Sequence, residues 1–353
     1  MYKAVNTYDT VKGVMPMRIM HLAEALVFGG LETQILSLCR EFIKTSHTPF
    51  VFARLMSTEF QQQLEELGVQ YMVDGSGDGL TAYVTEHGIQ VLHGHPVAVP
   101  LAAATGETLR LPVVATYHGL FGWNWETHRS IDKIICISQE VYDRVALGNP
   151  GIDPKLVIIQ NGVDTERFKP LYQHRGGKKL LFIGRLDMDK RYSLKIIFEA
   201  VEALPGVELL VAGSGPYLDE LRLDAPPFVK WLGYVQDMAP VINQADIVIG
   251  TGRGVREAMA CGVPAIALDA CGYDGLATPE TIKSLEYQNF SGRSGRPLEV
   301  EFLVKDLRKV LGSPETRAAI GEWSRRYAED NYSSTIAALK HLLVYNELIN
   351  INR

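Results

Sequence analysis

The feature that most limits the fold is a succession of short apolar runs, each followed by a segment of helix length. It runs through once, stops at a polar stretch and then restarts. In the first half, MRIMHL at 17–22 precedes a Gly-Gly turn at 29–30. Leu31, Ile35, Leu38 and Phe42 follow, at the spacing of one helix face. FVFARL, VQYMV, IQVLHGH, PVVATYH and IDKIICIS are further strand candidates, and KLVIIQNGVD at 155–164 closes the half. Most of these runs are apolar at nearly every position, as expected of parallel strands buried on both faces. The stretch 165–179 is polar, carries Pro170 and Gly176–Gly177, and reads as a linker. Beyond it, KLLFIG, VELLVAG, FVKWLGY, ADIVIG and PAIALD predict strands, separated by helices at 191–204, 216–222, 237–244 and 254–261. Residues from about 299 to 350 read as helical throughout. The expected fold class is therefore α/β, with two doubly wound, Rossmann-like domains whose strand C-termini border one cleft. The expected divisions are a tail at 1–16, a first domain at 17–170, a second at 171–330 and a separate C-terminal helix at 331–353.

A chain of 353 residues has room for two such domains. Its 35 basic and 41 acidic side chains give a net charge of −6, which argues against a nucleic-acid partner. The densest basic cluster, Arg175, Lys178 and Lys179, is small. No apolar run reaches the roughly 18 residues of a membrane span, and the first residues lack a signal-peptide core, so a cytoplasmic location is the expectation. Amphipathic helices in the first half could touch a membrane surface, although no basic-aromatic helix supports it. Cys39, Cys136, Cys261 and Cys271 form no CxxC pair and read as reduced structural thiols.

Several turns at strand ends could carry chemistry. Phe28-Gly29-Gly30-Leu31-Glu32 joins a strand to a helix, where free N–H groups and a positive dipole end suit an anion; a tight turn without a ligand is the alternative. Gly184-Arg185-Leu186-Asp187-Met188-Asp189-Lys190 offers a guanidinium and an ammonium that could converge on one diphosphate, or two solvated surface cations. Gly213-Ser214-Gly215-Pro216 could lie against a base or a phosphate, although it lacks the dinucleotide-binding glycine spacing. Thr251-Gly252-Arg253-Gly254 leads to Glu257, placed near a helix start, where the dipole favours a carboxylate that could accept ribose hydroxyls.

Histidines mark two further strand ends. His93 and His95 end one run, and Thr116-Tyr117-His118-Gly119 ends another. A histidine there could donate to a reacting sugar. His93 and His95 are read as falling on alternate faces of their strand, which would make no metal pincer. Phe121, Trp123, Trp125 and His128 follow, as a packed loop or a stacking platform for an acceptor.

Together these pieces resemble the family-four retaining glycosyltransferases of the GT-B fold. The match runs from Met17 to about Cys271. It rests on Gly29-Gly30-Leu31-Glu32, Thr116-Tyr117-His118-Gly119, Ile137-Ser138, Asn161-Gly162-Val163-Asp164 with Phe168 and Pro170, Gly184-Arg185-Leu186 with Lys190, Gly213-Ser214-Gly215-Pro216, Trp231-Leu232-Gly233, and Glu257 through Pro264. The resemblance implies that Arg185 and Lys190 hold the donor diphosphate and that Glu257 binds the ribose. It places the Gly213–Gly215 turn beside the base, the Gly30 amide near the diphosphate or acceptor, and His118 at the donor sugar. It also implies sugar transfer to an acceptor hydroxyl with retention, a nucleotide-diphosphate sugar as co-substrate (UDP rather than GDP), no bound metal, and a last helix returning to the first half.

One motif departs from the family. The usual E-x7-E would put a second glutamate eight residues before Glu257, where Ile249 stands. The segment from Asp246 to Glu257 is about six to eight residues short, and sugar recognition there falls to Thr251, Gly252 and Arg253. A nucleotide-sugar-binding protein with impaired catalysis, or another GT-B enzyme such as a nucleotide-sugar epimerase, is the alternative.

Overall fold

The computed structural model describes residues 15–27, 29–120, 129–171 and 178–351. Most of the N-terminal tail, Phe28, the aromatic stretch with Phe121, Trp123, Trp125 and His128, and part of the polar linker lie outside the described residues. The chain forms two compact units. One comprises the residues up to Gly162 together with those from Ser334 onward, and the other is Val163–Ser333.

The first unit is built on seven parallel strands: β1 (Arg18–Leu26), β2 (Thr48–Met56), β3 (Gln70–Val73), β4 (Val91–Gly94), β5 (Val113–Tyr117), β6 (Lys133–Cys136) and β7 (Leu156–Ile158). They lie in the order β3-β2-β1-β4-β5-β6-β7. The order reverses between β1 and β4, which makes that crevice the position where doubly wound sheets take ligands. Alternation along β1 explains why its run is apolar throughout. Met20 and Leu22 pack with Phe50 and Phe52 on one face. Ile19 packs on the other with Leu38 and Phe42 of the helix Gly30–Lys44 and with Leu342 and Tyr345 of the last helix, Ser334–Ile351. Gly162 permits the return, since a Cβ there would stand 2.7 Å from Ser334 Cα. Ser138, one of the motif residues, acts locally. Its hydroxyl caps the next helix by accepting from Val141 N.

The second unit repeats the scheme with β8 (Lys179–Ile183), β9 (Glu208–Ala212), β10 (Val229–Gly233), β11 (Ile247–Gly250), β12 (Ala265–Asp269) and β13 (Gly272–Leu276). The order is β10-β9-β8-β11-β12-β13, with the reversal between β8 and β11. All neighbours are parallel except β12 and β13. The glycine-rich run of β13 was not expected as a strand. It holds the open edge by pairing antiparallel with β12.

The boundary between units falls after Gly162 rather than at 170. Phe168 is buried beside Leu181 and Met259 of the second unit, so the stretch before the polar linker already packs there. The C-terminal region is helical as expected, in three helices, Val300–Leu311, Pro314–Tyr332 and Ser334–Ile351, and the last of them is the separate helix expected from about 331. Ser313 starts the second of them by accepting from Thr316 N, with proline at the first helical position. Among the described residues no helix is long and apolar enough to cross a membrane. Cys39, Cys136 and Cys261 are buried, Cys271 is exposed, and all four are free thiols.

Candidate active site

The sequence-predicted residues gather at the C-terminal ends of two sheets, and each sheet is best described separately. In the second unit, Arg185 follows β8, Gly213 and Gly215 follow β9, and Thr251, Gly252 and Arg253 follow β11. These strands are neighbours around the reversal point, so the residues share one sheet edge. Arg185 is 72% exposed, and its Nε donates to Asp187 Oδ1 at 3.1 Å. Lys190 opens the helix Lys190–Glu202 and is only 12% exposed. Its Nζ lies 2.5 Å from Asp269 Oδ1 and 3.2 Å from Asp189 Oδ2. Burial works against the ammonium, but the hydrogen bonds and charges of Asp269 and then Asp189 outweigh it and hold the Lys190 pKa above its ordinary value. Motif spacing does not reveal Asp269, which ends a strand far along the chain; only its place at a strand C-terminus could have flagged it.

The glycines at 213 and 215 have a packing reason. A Cβ on Gly213 would stand 1.9 Å from Gly184 O, and one on Gly215 would stand 2.3 Å from Leu186 O. The two turns also join through Leu186 N, which donates to Ser214 O. The turn therefore shapes the loop that carries Arg185.

Glu257 requires a correction. Its helix begins at Arg253, so the carboxylate sits in the second turn of Arg253–Ala260, beyond the reach of the N-terminal dipole. Arg253 replaces the dipole as its partner: Nε donates to Glu257 Oε1 at 2.7 Å, with Glu257 nearly buried. Gly252 enters the helix at φ +49°, a conformation that favours glycine. Arg256, which no sequence motif singled out, is fully buried. It stacks over Phe290 and Tyr332, and its Nη2 donates to Asn289 Oδ1.

In the first unit, Gly29 follows β1, His95 lies just past β4, and His118 follows β5. Gly29 precedes the helix at φ +156°, and a Cβ on Gly30 would meet nothing within 4 Å. The histidines are the larger surprise. Positions two apart on a strand share a face, so the expected alternation of His93 and His95 was wrong. Their rings stack with centroids 4.7 Å apart. His21 of β1 stands in register with His93, and ring nitrogens of His21, His93 and His95 all lie within 4.8 Å of one another. His118 and His341 complete a group of five. His95 contacts both His21 (Nδ1, 3.2 Å) and His118 (Nε2, 3.0 Å), while His93 bonds Tyr345 and Thr116. An ion held by the first three would have to displace most of these bonds.

Burial holds the whole group neutral. It lowers His21 to about 3 and His118 and His341 to about 4, and neighbouring histidine charges push His21 and His118 further down. His93 and His95 also lie well below the ordinary value. The unfolded chain therefore takes up protons below about pH 6.5 that the folded chain refuses. The stability contributed by these groups is complete above that pH and is lost as pH falls toward 4. The melting temperature of the wild type is expected to drop by more than about 5 °C between pH 7 and pH 4.5. His21→Phe, which leaves a ring against Phe42, should reduce that slope. A flat wild-type profile would show that the folded cluster accepts protons freely.

Two doubly wound parallel sheets, each with glycine turns and cations or histidines at its reversal point, define a GT-B glycosyltransferase architecture. Comparison with known proteins agrees. The profile of Glycosyltransferase Family 4 matches residues 28–167, and that of Glycosyl transferases group 1 matches residues 177–284. The chain belongs to these group 1, family 4 glycosyltransferases. It is 29% identical over 283 residues to a GDP-mannose-dependent monoacylated alpha-(1-6)-phosphatidylinositol monomannoside mannosyltransferase of Corynebacterium glutamicum, covering 67% of this chain and 71% of that one. It is 26% identical to the sulfoquinovosyl transferase SQD2 of Arabidopsis thaliana, covering 65% of this chain but only 50% of the relative. The fold is similar to that of Anabaena HepE, solved with UDP and glucose, at a TM-score of 0.73 and 19% identity, over 94% of this chain and 100% of that one.

Proposed function

We propose that the protein moves a glycosyl unit from a nucleotide-diphosphate sugar to an acceptor hydroxyl, with retention and without a bound metal. The observation that carries this reading is the edge of the second sheet. An exposed guanidinium (Arg185) and a largely buried ammonium (Lys190) there match a diphosphate in charge, and a carboxylate (Glu257) can accept from ribose hydroxyls. In this reading Arg185 swings from Asp187 and Lys190 shares its charge between Asp269 and phosphate, which replaces a metal ion in stabilising the leaving nucleotide. The phosphate itself takes the acceptor proton, so no protein nucleophile is needed. Gly30 supports the reading from the other unit, because nothing in its own surroundings demands a glycine. His118 addresses the donor sugar. UDP is the proposed carrier, although two relatives are named for GDP-mannose.

A second reading rests on specific contacts. Ile249 stands in place of the family's first glutamate, while Glu257 and Lys190 already hold ion-pair partners in the chain. A protein that binds nucleotide sugars without turning them over would look like this. Incubation with UDP-, GDP- and dTDP-sugars, with and without sugar and lipid acceptors and with chelator present, separates the two. Nucleotide release in chelator, with the product anomer matching the donor, is the expected result. Tight binding with no release across the whole panel would replace the first reading by the second.

A further inference from the structure

We propose that His21 and His95 form a positioning relay that fixes the tautomer of His118, so that His118 presents an Nδ1–H donor to its ligand. This rests on the reading above only in taking His118 as a ligand contact.

A proton count decides between the possible arrangements. A neutral imidazole carries one N–H and one lone pair, and each hydrogen bond between two rings needs one of each. The contacts are His21 Nδ1 to His95 Nε2 and His95 Nδ1 to His118 Nε2. Burial keeps these rings neutral. Only two arrangements then satisfy both contacts. In one, His95 donates from Nε2 and His118 donates inward from Nε2, so that His21 must carry its proton on Nε2. That atom is buried and has no hydrogen-bond partner, so an N–H would be stranded. In the other, His21 donates from Nδ1 to His95 Nε2, and His95 donates from Nδ1 to His118 Nε2. His21 Nε2 is then an idle lone pair, the less costly orphan, since unpaired buried N–H groups are the rarer case.

The second arrangement leaves the proton of His118 on Nδ1. His118 is partly exposed, and Nδ1 has no hydrogen-bond partner among the described residues. The donor therefore faces outward, suited to an oxygen of a sugar or phosphate. His93 and His341 stand outside the relay. His93 is satisfied by Tyr345 and Thr116, and His341 Nδ1 donates to Ala337 O. The relay acts through His118 alone, so His21 and His95 are positioning residues.

Long-range proton–nitrogen spectra of ring-15N-histidine protein at pH 7.5 read the tautomer directly, with His118 assigned from its loss in His118→Gln. The expected signature is a protonated Nδ1 and an unprotonated Nε2 on His118. A protonated Nε2 overturns the proposal. His95→Leu removes the inward donor and should return His118 to the Nε2–H form that imidazole prefers in water. His95→Gln can still accept from His21 and donate to His118, and should keep the Nδ1–H form. With UDP-glucose and GDP-mannose as probes, His95→Leu should lower kcat about tenfold with KM changed less than about twofold, and His95→Gln should restore most of it. Equal losses in both variants would overturn the relay. An Nδ1–H signature in a protein that turns over neither probe supports the relay and counts against the proposed activity instead.

Discussion

Removing both Arg185 and Lys190 side chains is expected to weaken binding of UDP or GDP by at least about a hundredfold while the second unit stays folded. Hydrogen bonds to a charged partner contribute about 1.5–3 kcal/mol each, so losing two removes about 3 kcal/mol or more. The two residues differ in what else they do. Arg185 is largely exposed and, among the described residues, ion-pairs with Asp187 alone, so Arg185→Ala should leave stability within about 0.5 kcal/mol of wild type. Lys190 also neutralises Asp269. Its removal leaves that carboxylate without its ammonium, although Ala270 N still donates to Asp269 Oδ1. Lys190→Ala should therefore lower the melting temperature slightly, and adding Asp269→Asn should recover it. Calorimetric titration of the double variant provides the test. Unchanged nucleotide affinity in a folded Arg185→Ala, Lys190→Ala protein would remove the diphosphate from this sheet edge.

Gly213→Ala is the second large effect expected. A methyl group at this position would overlap Gly184 O at 1.9 Å, and neither partner is a flexible side chain. Overpacking of backbone on backbone forces the Gly184–Leu186 segment to move, at a cost of about 3 kcal/mol or more. Gly206→Ala is the control. Gly206 has φ +79° but open space around its Cβ position, so only backbone strain of about 1 kcal/mol applies. Denaturation midpoints compare the two. Equal shifts would mean that the two loops do not meet. The expected displacement also moves Arg185, so nucleotide affinity should fall in Gly213→Ala and hold in Gly206→Ala.

The strands of both sheets were legible because a parallel strand covered on two faces is apolar at every position, and few other structures write that pattern. β13 was not legible: Gly272-Tyr-Asp-Gly-Leu276 is an edge strand whose glycines read as a turn. The last helix was legible as a separate piece, whereas the break at Gly312-Ser313 was not, because it falls inside a stretch whose pattern is helical throughout. The boundary after Gly162 was not legible because the polar composition that marks a linker begins only after it, whereas burial of Phe168 decides where the second unit starts. The candidate site was legible as an ordered set of motifs, and the partners of its residues were not. Asp269 beside Lys190 and His21 beside His95 join elements far apart in the chain, and Arg253 on Glu257 joins successive turns of one helix; residue spacing alone does not single them out. The histidine error was of another kind. A two-residue spacing on a strand puts side chains on the same face, and His93-Gly-His95 carried that information.

The last helix, Ser334–Ile351, has a consequence for how the chain matures during synthesis. Its Leu342 and Tyr345 close the face of the first sheet that carries Ile19 and Ile135, and Glu41 accepts from Thr335 Oγ1 at 2.8 Å. A ribosome delivers this helix after every residue of the second unit. The amino-terminal sheet must wait with an uncovered oily face while residues 163–333 emerge and fold. The unit begun first is thus completed last, and in that interval it is the part of the nascent protein most open to aggregation and most in need of a chaperone.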